Sequence, residues 1–457
     1  MATYVNRTPS SASNRKTWTF STWLKRSSIT TDSVIFAAGS GTVEFTAYFK
    51  TGGTMEVYQY TSGTYNLRYE TSAMYKDPSA WYHVVIACDT TQANASDRFK
   101  IYVNGSQVTA FNTSTAPSQD LDTSVNLDVP HVLGKYHHSS GGYYLGYLSQ
   151  SILTDGTAYA ASTFGSTDSN GVWIPNTSPS VTYGTNGFKL DYPGTGTSAA
   201  VGNFGADSSG NNNHFTGNSV GTNANATDTP QNNFATWNDL GSNASSITEG
   251  ALRMVGDTGT NYSLGACSSI AFQKGKWYAE FKVGTFDNNY IGLCKEDNMM
   301  ALDGDYQYQL GQLFYKSNGN KASGDGSGNF GADTSYGASY TSGDIIGVAA
   351  DMDNLKLYFS KNGTFQDSGN PASGSTGTGA AFTSSLIGGA AGSDIKADTF
   401  YSFFSAGYND GICQANFGNP SFTISSSNAD ANGYGSFEYA VPSGYYALCT
   451  KNLAQYG

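Results

Sequence analysis

Cutting a glycosidic bond needs two carboxyl groups about 5–5.5 Å apart for a retaining mechanism, or roughly 6.5–9.5 Å apart for an inverting one. The chain has seven glutamates, at 44, 56, 70, 249, 280, 296 and 438, spread along 457 residues. Glu44 and Glu56 alternate with apolar neighbours and read as outward positions of strands. A serine nucleophile would need a histidine as its base, and the five candidates are His83, His131, His137, His138 and His214. His83 lies in a buried-strand pattern and reads as a core or edge residue. His137 and His138 sit beside Tyr136, Tyr143 and Tyr144 around Ser139-Ser140-Gly141-Gly142, a loop between two strands. That loop is either an ordinary polar hairpin or a contact surface for a glycan or a neighbouring subunit. No nucleophile motif accompanies the histidines, so the expectation is that the chain is not an enzyme.

Metal chemistry has few starting points. Cys88, Cys267, Cys294, Cys413 and Cys449 form no CxxC pair, which disfavours zinc and reads as small buried hydrophobes. Calcium takes six to eight oxygens. Asp351-Met352-Asp353-Asn354 could supply some, but reads more simply as a turn. Asp303-Gly304-Asp305 is the better calcium candidate, through Asp303 and Asp305; otherwise no cofactor is expected. Tyrosine is amphipathic and loses little entropy when ordered, which suits protein and sugar interfaces. Tyr306, Tyr308, Tyr336 and Tyr340 lie in Gly/Asp/Ser-rich segments that look like inter-strand loops, so they join the candidate contact residues beside the alternative of core filling.

Strands must position these groups. With seven Glu among 35 acidic residues, and with 55 Gly, 32 Tyr and 25 Phe, the composition favours short strands and tight turns over helices. A content of 38 % hydrophobic and 14 % aromatic residues is enough to fill a core, which excludes disorder. Period-two alternation marks strands at Trp18–Leu24, Val43–Phe49, Met55–Tyr60, Trp277–Val283 and Leu355–Lys361. Trp81–Cys88 is nearly continuous apolar, as a central strand covered on both faces would be. Asn104-Gly105 and Asn362-Gly363 predict tight type I′ hairpin turns. The net charge of −12 falls as −1 over 1–175, −3 over 176–240 and −8 over 241–457, with no basic stripe, which disfavours nucleic acid. No run of about 18 apolar residues and no apolar leader core appears, so no membrane insertion is expected.

The expected fold class is all-β, with two antiparallel β-sandwiches at 1–175 and 241–457. Between them, 176–240 is a Gly/Asn/Ser-rich connecting segment. Its aromatics, from Phe188 to Trp237, imply ordered loops and short strands packed on one or both sandwiches.

The first half resembles the laminin-G-like, concanavalin A-like lectin/glucanase superfamily. The likeness rests on Trp18–Lys25, Trp81–Val85, Ile101–Gly105 and Tyr144–Ser149, and implies a jelly roll. The glucanases of that superfamily draw their carboxylates from one strand, spaced Glu-x-Asp-x-x-Glu, and no such triplet exists here. The second half is similar to SPRY domains through Gly275–Phe281, Gly343–Asp351, Leu357–Gly363 and Ala415–Gly418. The pair, with the joining motifs Gly205–Phe215 and Asp228–Thr236 and the ending Pro442–Leu453, resembles virion proteins of tailed phages, marine and cyanobacterial phages being the nearest comparison. The resemblance implies a structural virion component, such as a decoration, head-fibre or tail-associated protein. Its partners would be other virion subunits, as a homo-oligomer, and its location the virion after synthesis in the host cytoplasm. The alternative is a tail adhesin that recognises a host surface glycan.

Overall fold

The computed structural model describes residues 3–139, 141–256, 264–285, 289–295, 311–324, 330–384, 395–407 and 410–457. It is all-β, with antiparallel sheets in two compact units, 1–225 and 226–457.

Unit one packs an eight-stranded sheet against a six-stranded one. The larger runs in the order Phe111–Thr115, Thr64–Met74, Thr54–Thr61, Val43–Phe49, Ser33–Ser40, His131–Leu133, Tyr4–Arg7 and Thr216–Asn218. The smaller runs Phe188–Leu190, Gly146–Asp155, Thr17–Arg26, Trp81–Asp89, Phe99–Val103 and Ser106–Gln107. Alternation decides what lies between them: Trp18, Phe20, Phe36, Phe45, Phe49, Val57, Val84 and Ile86 form one buried cluster. Removing each such side chain from water contributes roughly 1.5–3 kcal/mol before entropy is counted. The strand Trp81–Asp89 is covered on both faces, as its composition requires: Val84, Ile86 and Cys88 face the main core, and Val85 packs with Ile152, Ala161 and Phe164. The Asn104-Gly105 turn has φ of +47° and +81°, the double left-handed pair of a type I′ hairpin.

Unit two repeats the architecture. One sheet places Ile412–Asn416, Lys276–Val283, Ile345–Asp351 and Lys356–Lys361 side by side, and the other includes Tyr290–Lys295 and Tyr401–Gly407. Trp237, Phe272, Trp277, Phe281, Tyr315, Phe359, Phe403 and Phe417 fill the space between. Asn362-Gly363 likewise makes a double left-handed turn, with φ of +48° and +80°.

The polar segment 176–240 forms no body of its own. Phe188–Leu190 pairs with Gly146–Asp155, and Thr216–Asn218 pairs with Tyr4–Arg7, so most of it completes the sheets of unit one. Asp207 organises the Gly205–Phe215 motif by accepting from the Lys189, Ser209 and Asn213 amides at 2.8–2.9 Å. Asp228–Thr236 instead belongs to unit two, where Phe234 bridges Cys449 and Thr450 Oγ1 accepts the Asn233 amide at 3.0 Å. All five cysteines are buried, and none is in a disulfide among the described residues. No helix of the described residues is long and apolar enough to cross a membrane.

Candidate functional site

Three hairpin-linked strands, Ser33–Ser40, Val43–Phe49 and Thr54–Thr61, continue into Thr64–Met74 and give the eight-stranded sheet an outer face. Phe45, Ala47 and Phe49 point to the core, so Glu44, Thr46 and Tyr48 point away from it. The same parity puts Glu56, Tyr58 and Tyr60 outside on the next strand. Tyr48 donates to Glu56 Oε2 and Tyr58 donates to Glu44 Oε1, each at 2.8 Å. Glu56 and Glu70 lie directly opposite each other across strands, an unfavourable pairing unless cations intervene. Lys50 bridges them at 3.4 and 2.9 Å, and Arg68 binds Glu56 at 2.5 Å. Burial and the neighbouring carboxylate hydrogen bonds push the Tyr48 phenol far above its ordinary pKa, so it stays a donor.

The loop after His131–Leu133 folds over this face. Tyr144 donates its amide to Gly134 O at 2.8 Å, and Val34 donates to Gly142 O at 2.9 Å, which holds the loop to the sheet. Gly142 has φ +65°, and a Cβ there would lie 2.4 Å from the Tyr136 ring; only glycine lets that ring lie down. Tyr136 packs against Tyr48 and His138, with centroids 6.0 and 5.5 Å away. His137 and His138 both bring Nδ1 to Glu44 Oε2, at 3.2 and 2.9 Å. The His137 side chain is 3 % exposed and that of His138 46 %. Burial lowers the His137 pKa, with Glu44 opposing the shift. Tyr65, 41 % exposed, closes the patch by stacking edge-on to Tyr58 and Tyr60 and lying under Arg68.

Of the predicted contact residues, the structure brings Tyr136, His137 and His138 together. Tyr143 lies apart from them, its ring near Tyr4 with Lys135 over both. Three others are core residues rather than surface ones. Tyr144 is buried with its hydroxyl donating to Lys25 O, Tyr336 packs on Tyr315 and Phe359, and Tyr340 donates to Asn289 O and Tyr315 O. Each donates its hydroxyl to a backbone carbonyl, Tyr336 to Gly379 O at 3.1 Å, so the polar end of a buried ring is satisfied. Asp303, Asp305, Tyr306 and Tyr308 lie outside the described residues. Asp351-Asn354 is a turn: Asp351 accepts from the Asn354 amide and pairs with Lys276, each at 2.9 Å. The partner missed in the sequence is Glu44. It lies 93 positions from His137, and its outward parity gave no sign that a distant loop returns to it.

His83 shows why a serine–histidine contact is not a catalytic pair here. Its Nε2 is 2.9 Å from Ser21 Oγ, but Trp173 Nε1–H donates to its Nδ1 at 3.0 Å. The remaining ring proton is therefore on Nε2, which donates to Ser21 and cannot accept its proton. Burial lowers the His83 pKa to about 3, keeping the ring neutral between Trp23 and Trp173. A separate groove of about 540 Å³ in unit one is lined by Arg15, Asn66 and Asp122 with Val43, Leu121 and Leu127.

Residues 2–151 match the model of the concanavalin A-like lectin/glucanases superfamily. No curated protein matches the chain. Among solved structures, the SPRY domain of human HERC1 is similar at 13 % identity and a TM-score of 0.29, over 39 % of this chain and 96 % of that one. A candidate carbohydrate binding protein from Bacteroides ovatus is similar at 14 % identity and a TM-score of 0.32, over 48 % and 56 %. Domains LG4-5 of the mouse laminin alpha1 chain align at 8 % identity and a TM-score of 0.27, over 91 % and 86 %.

Proposed function

We propose that the chain is a non-catalytic binding protein, a structural component of a tailed-phage virion whose sandwiches make protein–protein and glycan contacts. The observation that carries the binding reading is the outer face of the eight-stranded sheet. Aromatic rings (Tyr58, Tyr65, Tyr136) stand beside carboxylates and imidazoles there, and His138 and Tyr65 reach solvent. Rings of this kind stack on the C–H faces of sugars or on apolar side chains, while carboxylates accept hydroxyl protons. The carboxylates are held by Lys50, Arg68 and tyrosine hydroxyls, which suits fixed acceptors better than an acid–base pair. The virion assignment rests on the sequence resemblance of the two sandwiches and their joining motifs.

The same exposed rings favour a second reading, a receptor-binding adhesin for a host surface glycan. Purified protein on a glycan array and on intact host cells tests it. Binding should fall at least tenfold in Tyr65→Ala and His138→Ala and stay unchanged in the groove variant Asn66→Ala. A blank on both surfaces removes the adhesin reading. A particle map with this chain at symmetric positions supports the virion reading, and absence of the chain from purified particles rejects it.

A further inference from the structure

Glu44 Oε2 is buried and receives no hydrogen bond among the described residues, although two imidazole nitrogens lie 2.9 and 3.2 Å from it. Neither contact is a hydrogen bond. A buried carboxylate oxygen without a donor is costly, on the order of 1–3 kcal/mol or more, and is uncommon enough in folded proteins to need a cause. The two imidazoles also meet each other, with Nδ1 to Nδ1 at 3.4 Å. Three ligand atoms thus form a triangle with edges of 2.9, 3.2 and 3.4 Å. A tetrahedral ion with bonds of about 2.0–2.1 Å sets its donor atoms roughly 3.3–3.4 Å apart. Calcium, with bonds of about 2.3–2.6 Å and a preference for six to eight oxygens, fits this set poorly.

We propose that Glu44, His137 and His138 bind a divalent transition-metal ion of the zinc class, with the fourth position open to solvent beside His138. Two neutral imidazoles and one carboxylate match the borderline-soft preference of such ions. The elements that hold the ligands are set independently of any ion. Glu44 is fixed by the Tyr58 hydroxyl on its other oxygen, and His137 is packed into the sheet with its side chain 3 % exposed. Only the exposed His138 must adjust to close the site. The ion would tie the loop to the strand and leave one coordination place for water or a donor atom of a partner. This inference does not depend on what the outer face binds.

The test uses the full untagged chain, with zinc alone and then cobalt as probes and no glycan or partner present. After dialysis against micromolar zinc, elemental analysis should find one ion per chain. Cobalt should give the intense visible absorption of a four-coordinate site. His138→Ala, at an exposed position, should keep the metal-free melting temperature and weaken zinc binding by about 100-fold or more. Glu44→Gln should weaken it similarly, and His214→Asn should leave it unchanged. Failure of the wild-type chain to retain zinc, or retention undiminished in His138→Ala, overturns the proposal. Neither result bears on glycan binding, which is read separately.

Discussion

Glu44 in unit one and Glu280 in unit two are both strand glutamates pointing away from the main core of a sandwich, yet they are used in opposite ways. Among the described residues Glu44 keeps one oxygen without a hydrogen-bond donor, under two imidazoles of a loop that reaches solvent. Glu280 is fully buried and saturated. Its oxygens accept from the Glu438 and Tyr439 amides at 2.9 and 2.8 Å, and from Tyr278 and Asn416 at 3.2 Å. One carboxylate is presented, and the other staples the C-terminal segment to its sheet. The contrast teaches that outward parity on a strand says nothing about use; whatever chain returns over that face decides it.

The largest way to break the comparison is to remove each carboxylate. Glu280→Ala leaves two amides, a hydroxyl and a side-chain amide without their acceptor, and should lower unfolding free energy by about 3–5 kcal/mol. Glu44→Gln, which keeps an acceptor for Tyr58, should cost less than about 1 kcal/mol. Urea unfolding of the two variants measures both, and equal losses would erase the distinction.

A pH response of opposite sign in the two units comes next. Burial raises the Glu280 pKa from 4.5 to about 7, against the donors around it. Folded unit two therefore binds the extra proton between pH 4.5 and 7, and its stability falls as pH rises through that window. In unit one, burial lowers His83 and His131 from 6.5 to about 3 and about 4. There the unfolded chain binds the extra protons, so stability is present above pH 6.5 and is lost as pH falls. From pH 7 to 5, unit two should gain about 2 kcal/mol from Glu280, and unit one should lose about 2 kcal/mol per histidine. Hydrogen exchange assigned to peptides of each unit should show the opposite slopes, with Glu280→Gln flattening only that of unit two. Parallel slopes would contradict the account.

The smallest effect sharpens a likeness rather than a difference. Gly105 and Gly363 end matched hairpins, and an added Cβ would lie 2.7 Å from Trp173 and 2.5 Å from Tyr439 respectively. Alanine at either should cost about 1–2 kcal/mol, by thermal melting, from left-handed strain and crowding together.

The strands and turns were legible because their signals are local. Period-two runs such as Val43–Phe49 fix parity, and Asn-Gly pairs fix turns, without reference to the rest of the chain. The site was half legible. Tyr136, His137 and His138 stood out as a cluster in one loop, while Glu44 reached them only through a fold that brings positions 93 apart together. Tyr144, Tyr336 and Tyr340 misled for a related reason. Gly- and Ser-rich flanks look like loops in sequence, but a tyrosine beside them can still turn inward and satisfy a buried carbonyl. The 176–240 segment, whose aromatics imply ordered loops and short strands, supplies edge strands to the sheets of unit one, where backbone pairing asks little of side chains.

The proposed role of the outer face of the eight-stranded sheet in unit one is to bind a glycan without cleaving it. Quantitative binding of the wild-type chain to glycans retained on an array, side by side with Tyr65→Ala, His138→Ala and Asn66→Ala, tests it directly. At least a tenfold loss is expected for the first two variants and none for the third, with every bound glycan recovered intact. Undiminished binding by Tyr65→Ala and His138→Ala, or cleavage of the glycan, would contradict it.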